Sequence, residues 1–498
     1  MKLMVMRMLG ACAACVVSVA VGLGATQSAA NAALEQGATR AEQSRRAGDA
    51  ALVRDLRAEM DLLAAEDRFS GVVLLAKDGQ PLFKHAYGFA DHAFGARNNV
   101  DTKFNMASMT KVFTAVAILQ LVERGKISID ESLANALPDY PNQEAASKIT
   151  IHELLAHKSG LGDFFGKEFS ESNPFNYRTL RDYLHLFAAK PLLFEPGTKA
   201  SYSNAGFIVL GLVIEKASGQ SYYDYVRDHI FKTAGMIDTG FWSYEDDVPN
   251  LALNYTRLAS GSSPGGQQQS ANTPRGVAPN FTRSQSSGSS FSCVGDLVRF
   301  SEALRNHKLL RPESVELILS GGYGLGTQSI NGVRSMSHAG GLPGANTFLD
   351  MYPDSGYAVV ILSNFDPPVA QMVGQRLRQE IVGAELPRAI RVPPESLASF
   401  VGAYAPAPAG VTPGGAQVIS SSGDDTPIQV TADRVGLKVT LGTGEERHFV
   451  PLSAAEFFDR DTFSSSRLTF SKDETGRVSG LTISGSGAAQ SITAAKLP

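Results

Sequence analysis

Ser108 and Lys111 stand three residues apart at the head of Met106 to Leu119, a stretch that is apolar on nearly every side from Val112 onward. Side chains three apart on a helix share a face and touch. A serine hydroxyl is a poor nucleophile until a base takes its proton. A lysine titrating near about 10.4 cannot do so at neutral pH, but desolvation against an apolar helix favours the uncharged amine. Lysine is almost never fully buried unless something pairs with it or uses it. The pair therefore reads as nucleophile and base, with helix N-terminal N–H groups facing a developing oxyanion. It is the only Ser-x-x-Lys in the chain.

Two further groups keep it company. In Glu195 to Asn204 a Pro196-Gly197 turn presents Tyr202 and Asn204 on one side of a short extended segment, just before a helix. A buried tyrosine beside a lysine passes a proton between nucleophile and leaving group, and an asparagine amide holds Lys111 or a substrate amide. His338-Ala339-Gly340-Gly341 lies just upstream of the last strand pair. A strand edge there offers a backbone N–H, and glycine lets a substrate come close.

The elements that must position these groups can be read in order. Leu52, Leu56, Met60 and Leu63 fall at helical spacing. Gly71 to Ala76 and Pro81 to Tyr87 read as strands joined through Lys77-Asp78-Gly79-Gln80. The Ser108 helix stops at Gly125, and the chain to about Trp242 is mostly helical, including Ile151 to His157 and Ala205 to Ala217. Residues 259–290, rich in Ser, Gly and Gln, read as a long surface loop. A helix over Val294 to Leu304, strands Thr347 to Tyr352 and Tyr357 to Asn364, and a helix from Pro368 to Val382 follow. Strands near both ends with helices between them predict an α+β fold: an antiparallel sheet with helices on both faces and a helical insert. Beyond Pro393-Pro394, short alternating runs such as Leu437 to Leu441 and Arg467 to Phe470 predict a small all-β, barrel-like domain. The expected organisation is a signal peptide over 1–32, a hydrolase domain over 50–385 and a β domain over 395–498.

The signal assignment rests on Lys2 and Arg7, the uncharged run Met8 to Ala25, and the small-x-small site Ala30-Asn31-Ala32. A lipid-attachment box at Leu9 to Cys12 is the alternative, although the apolar run before it is short. Export to a periplasmic or extracellular location is expected, with no transmembrane anchor left and association with the cell envelope open. Cys293 is then the only cysteine, read as a buried small hydrophobe. A net charge of -4 speaks against a nucleic-acid partner. Nothing calls for a cofactor or metal: His152 and His157, five apart, sit about 140° around a helix where a shared metal needs about 40°. Tyr140-Pro-Asn142, Lys158-Ser-Gly160 and Gly261 to Gly265 match catalytic motifs in letters but lack the flanking elements.

The ordered set Ser108-x-x-Lys111, Tyr202-x-Asn204 and His338-x-Gly340 resembles the serine β-lactamase and penicillin-binding-protein superfamily. Within it, the chain is similar to the branch of class C β-lactamases, D-alanyl-D-alanine carboxypeptidases and family VIII esterases. Ile149 to Leu161 and Pro196 to Gly219 match too, and the resemblance covers about residues 50–385. From Leu397 onward the chain resembles the lipocalin-like domain appended to many such hydrolases. The resemblance implies an acyl-enzyme on Ser108 with Lys111 as base, Tyr202 shuttling protons and activating water, and Asn204 binding substrate or steadying Lys111. It implies an oxyanion hole from the N–H groups of Ser108 and Gly341, Gly340 beside the substrate, and His338 orienting Tyr202 or meeting a substrate carboxylate. The expected activity is that of a D-alanyl-D-alanine carboxypeptidase or D-amino-acid peptide hydrolase. An esterase, a weak β-lactamase, or a penicillin-binding sensor without turnover stand as alternatives. A histidine where the family has lysine weakens the β-lactamase reading.

Overall fold

Asp78 and Gly79 both take positive φ (49° and 73°), the backbone a two-residue hairpin turn requires, and they fold β1 (Gly71–Lys77) back on β2 (Gln80–Tyr87). The structure is a computed structural model. It describes residues 48–497 apart from 174–175, 244–245, 258–274, 279–283, 384–391, 407–409, 412–416, 419–425, 433–435, 443–445, 454, 460–465 and 485–489. The signal assignment over 1–32, Cys12 and the Gly261 to Gly265 match lie outside these residues. Residues up to Asp61 form one unit, in which 48–61 are helical, and Leu62–Pro498 form a second, which holds everything that follows.

Strands from the two ends of the catalytic region share one six-stranded antiparallel sheet, as expected. Its order is β2, β1, β6 (Tyr357–Ser363), β5 (Ala345–Met351), β4 (Val333–Leu342) and β3 (Gly326–Ile330). Alternation sorts the side chains. Val72, Leu74, Val360, Leu362 and Leu349 join the large buried cluster of the helical insert. That cluster includes α1 (Lys111–Glu123), the short α2 (Ile151–Leu155), α3 (Asn204–Ser218) and α4 (Val294–Arg305). Asn346, Phe348 and Asp350 turn to the opposite face. There α5 (Val369–Ile381) packs so closely that a Cβ on Gly374 would lie 2.0 Å from the Phe348 ring. With both faces covered, β1 is buried along nearly its whole length, so it reads as a continuous apolar run although its neighbours are antiparallel.

The hairpin β3–β4 was not read from the sequence, although its turn carries the strongest short hairpin signal, Asn331-Gly332 at φ 51° and 78°. Its strands are half exposed and rich in Gly, Ser, Gln and Arg, so hydrophobic alternation is faint. The expectation of a surface loop over 259–290 also needs correction at its end. Ser284, Gln285, Ser286, Ser287, Ser289 and Ser290 are all buried. Much of their polarity is absorbed locally, the Ser286 hydroxyl excepted: Ser284 Oγ donates to the Trp242 carbonyl (2.8 Å), and Gln285 Oε1 accepts from the Ser287 N–H (2.6 Å) and hydroxyl (2.7 Å).

After Pro393 the chain forms a closed antiparallel β-barrel of eight strands. They are β7 (Gly402–Pro406), β8 (Ile428–Ala432), β9 (Leu437–Thr440), β10 (Glu446–Pro451), β11 (Glu456–Asp459), β12 (Arg467–Lys472), β13 (Val478–Ser484) and β14 (Gln490–Lys496). Pairing of β7 with β14 closes it, and the two-residue strands 410–411 and 417–418 add to β14. Phe400, Tyr404, Val430, Phe449, Phe457 and Leu481 belong to a buried cluster of its own, as a barrel of this size filled by side chains requires. No helix among the described residues is long and apolar enough to cross a membrane.

Candidate active site

Ser108 sits in a single tight turn, Ala107–Thr110, that leads directly into α1. Ala107 takes φ 47°, a left-handed conformation that costs a non-glycine residue about 1–3 kcal/mol and persists only where the surroundings impose it. They do. The Ala107 N–H donates to Asn105 Oδ1 (2.8 Å), and its carbonyl accepts from the Ser289 N–H and the Thr110 hydroxyl, both at 3.0 Å. The corrected loop 284–290 is thus one jaw of the clamp on the nucleophile's turn.

The other jaw is β4. A Cβ on Gly340 would lie 2.2 Å from Thr347 Oγ1 and 2.3 Å from the Met106 carbonyl, and Thr347 donates to that same carbonyl (3.0 Å). Glycine is required at 340 because the strand touches the backbone just before Ser108; the sequence reading had given it to substrate approach. Gly340→Ala is expected to push β4 off the turn. Any turnover that depends on Ser108 should drop by about 100-fold, as misplacement near 1 Å does, with a lower melting temperature. Unchanged turnover would contradict this packing.

Lys111 is fully buried, beneath the rings of Tyr202 and Phe207 at 4.8 and 5.5 Å. This desolvation draws its pKa down from 10.5 to about 7, with the carboxylate of Asp163 pulling the other way. Its Nζ lies 3.3 Å from Ser108 Oγ, 2.7 Å from Asn204 Oδ1 and 2.5 Å from the Ser287 carbonyl. Two of these three partners only accept. A neutral amine that gives its two hydrogens to Asn204 and Ser287 turns its lone pair to the Ser108 hydroxyl. The geometry is that of a base aimed at its proton.

Tyr202 hydrogen-bonds Ser108, and burial of its hydroxyl pushes the phenol well above its usual range. The residue as a whole is half exposed, not buried as expected, because its ring lies along the mouth of the cleft, stacked on His157 at 4.5 Å. Asn204 opens α3 and faces Lys111. Its Nδ2 and backbone N–H both donate to Asp163 Oδ2 (2.8 and 3.1 Å). Asp163 was missed in the sequence; the only signal was an acidic residue just past the Lys158-Ser-Gly160 bend. His157 was read only as half of a false metal pair. It accepts from the Ser203 N–H through Nδ1 (3.2 Å), while His152 pairs with Tyr323.

His338 lies on the face of β4 turned toward the helical insert. Its Nδ1 meets the Ala339 carbonyl at 2.6 Å, and since a carbonyl only accepts, Nδ1 carries the proton. Burial and the neighbouring Lys111 draw its pKa down to about 3. The ring is therefore neutral and presents an Nε2 lone pair, so of its two expected roles, orienting Tyr202 or meeting a substrate carboxylate, it brings no positive charge to the second. Strand β3 starts at Gly326, opposite Ser337, so among the described residues no strand pairs with that edge of β4 from His338 to Leu342, while β5 pairs along its other edge. Ser108, Tyr202, Asn204, His338 and Gly341 line one cleft of about 570 Å³. Among the described residues Cys293 is a buried free thiol outside it.

An antiparallel sheet flanked by a helical insert, with a Ser-x-x-Lys turn packed on a Gly-rich strand beside the open end of the sheet's edge, defines the penicillin-binding and β-lactamase class of folds. The chain belongs to the Beta-lactamase family, whose model matches residues 50–383. It is 30% identical over 328 residues to Penicillin-binding protein 4* of Bacillus subtilis strain 168, spanning 62% of this chain and 71% of that protein. Over 211 residues it is 36% identical to Esterase EstB of Burkholderia gladioli, spanning 40% of this chain and 54% of the esterase. The crystal structure of a penicillin-binding protein from Bacillus halodurans superposes with a TM-score of 0.55 at 30% identity, covering 66% of this chain and 98% of the other. Members of this family are serine hydrolases.

Proposed function

We propose that the protein is an exported serine hydrolase that works through an acyl-enzyme on Ser108. The observation that carries this is the fully buried Lys111, whose Nζ meets Asn204 Oδ1 and the Ser287 carbonyl with Ser108 Oγ 3.3 Å away, in a site where burial favours the free amine. Lys111 takes the Ser108 proton as Oγ attacks a carbonyl carbon. The oxyanion forms between the N–H groups of Ser108 and Gly341. The Tyr202 hydroxyl passes a proton to the leaving group and, in the second half, returns one from the attacking water. Because burial keeps Tyr202 a neutral phenol, it relays protons and Lys111 supplies the basicity.

Of the substrate readings, the cleft favours an uncharged ester or amide, the D-amino-acid derivatives included, over a peptide ending in a free carboxylate. A carboxypeptidase or β-lactamase needs a cation for that carboxylate, and His338 is neutral. Arg378 also reaches the cleft, from the opposite face of the sheet, and donates to Asp350 at 2.7 Å. The likeness to an esterase supports the same choice. Steady-state rates on a D-aminoacyl ester, its amide and the matching free-acid dipeptide test this. The ester and amide are expected to lead by at least about tenfold, the worth of one charged hydrogen bond, and His338→Lys to narrow the gap. Preference for the free acid would overturn the substrate class. No turnover of any of the three would overturn hydrolysis itself. The separate core of the barrel supports residues 395–498 as a distinct domain, beside a hydrolase domain over 50–385. Cell-envelope association stays part of this proposal.

A further inference from the structure

Asn204 holds Lys111 only if its amide is turned the right way. An asparagine side chain has a carbonyl end and an NH2 end of nearly equal shape, and nothing in the lysine chooses between them while the amine is neutral. The choice comes from Asp163. A carboxylate only accepts, so the amide end facing Asp163 Oδ2 at 2.8 Å must be Nδ2, which leaves Oδ1 toward Lys111 at 2.7 Å. The same Oδ2 takes the Asn204 backbone N–H at 3.1 Å, one of the free donors of the first turn of α3. Asp163 is itself fixed, its Oδ1 accepting from the Phe165 N–H at 3.1 Å. We propose that Asp163 is a positioning residue: it orients the Asn204 amide, and through it aims the Lys111 lone pair at Ser108.

This rests on the acyl-enzyme role of Ser108. Without Asp163 the amide turns freely and offers Nδ2 to Lys111, which forces the lone pair onto Asn204 and away from the nucleophile. Two consequences separate this from a merely structural role. The loss falls on kcat, because Asp163 touches no substrate. The acid limb of the rate profile also moves to lower pH, because the Asp163 carboxylate raises the Lys111 pKa against the larger desolvation and its removal releases that pull. Of the charged groups around Lys111 among the described residues, Asp163 is the one that raises its pKa; Tyr202, His157 and His338 face it as neutral rings.

The experiment is a double-mutant cycle on the full chain with an activated ester, read as kcat, KM and pH profile. Asp163→Asn is expected to lower kcat about 10- to 100-fold, as loss of alignment does, with KM nearly unchanged and the acid limb shifted downward. In an Asn204→Ala background, Asp163→Asn should cost little more, because both changes remove one device. Asp163→Glu, which keeps the carboxylate, should restore part of kcat even where Asp163→Asn folds poorly. A wild-type kcat in Asp163→Asn, fully additive losses, or an unmoved acid limb would overturn the assignment. Ser108→Ala run in parallel distinguishes the failures: if it stays active the acyl-enzyme reading itself has failed, and if it is dead only the role of Asp163 is in question.

Discussion

Ser108→Ala is expected to abolish acylation and to lower turnover of any ester or amide by on the order of 10,000-fold or more. Two neighbouring hydroxyls are poorly placed to replace it. The Tyr202 hydroxyl is held as a neutral phenol, and the Thr110 hydroxyl is turned inward to the Ala107 carbonyl and Ser290. The variant should fold as well as the parent, since the hydroxyl removed is one of three partners of Lys111 and the clamp on Ala107 runs through the backbone. Mass spectrometry after exposure to an activated ester checks this directly: an adduct on the variant would mean that the nucleophile lies elsewhere.

Lys111→Ala should cost nearly as much, because groups that act as a unit fail together. Lys111→Arg should do no better, since a guanidinium stays charged and cannot accept the proton. In the parent, the sign of the pH dependence follows from burial. The pKa is drawn down from 10.5 to about 7, so the working free amine dominates above about pH 7 and is lost below it. The free-enzyme parameter kcat/KM should therefore rise through about pH 7 and then level off. The same shift links to stability. Between about pH 7 and 10.5 the unfolded chain holds a proton that the folded chain does not, so this group makes stability rise with pH across that window. A bell centred well below 7, or an unchanged profile in Lys111→Arg, would contradict Lys111 as the base.

The parts of this site that were legible in the sequence are those whose signal is local. Ser108 and Lys111 announce themselves because a charged residue heads a helix buried on every side, and α1 is buried from Lys111 to Leu121. The hairpin β1–β2 follows from Asp78-Gly79, and α3 from its apolar run closed by Gly219 at φ 72°. What stayed hidden depends on tertiary partners. Asp163 looks like any loop acid until Asn204, 41 residues on, is brought to it. The polar run Ser284 to Ser290 has the composition of a solvated loop. It is buried because its hydroxyls and amides find each other and because the Ser287 carbonyl faces Lys111, 176 residues away. Gly340 reads as room for a substrate until the Met106 carbonyl is found in the space its Cβ would take. The neutrality of His338 depends on its burial beside Lys111, and the contact with the carbonyl of its own neighbour sets only which ring nitrogen carries the proton.

The most direct test of the central claim is intact mass over time for the purified protein with an activated ester, with a penicillin alongside and Ser108→Ala in parallel. An adduct of one acyl group is expected that requires Ser108, builds within the first turnovers and disappears as product is released, faster for the ester than for the penicillin. A lasting adduct would make the protein a receptor that is acylated without turnover. Absence of any Ser108-dependent adduct, with hydrolysis nonetheless proceeding, would contradict the acyl-enzyme and leave the buried lysine without the role assigned to it.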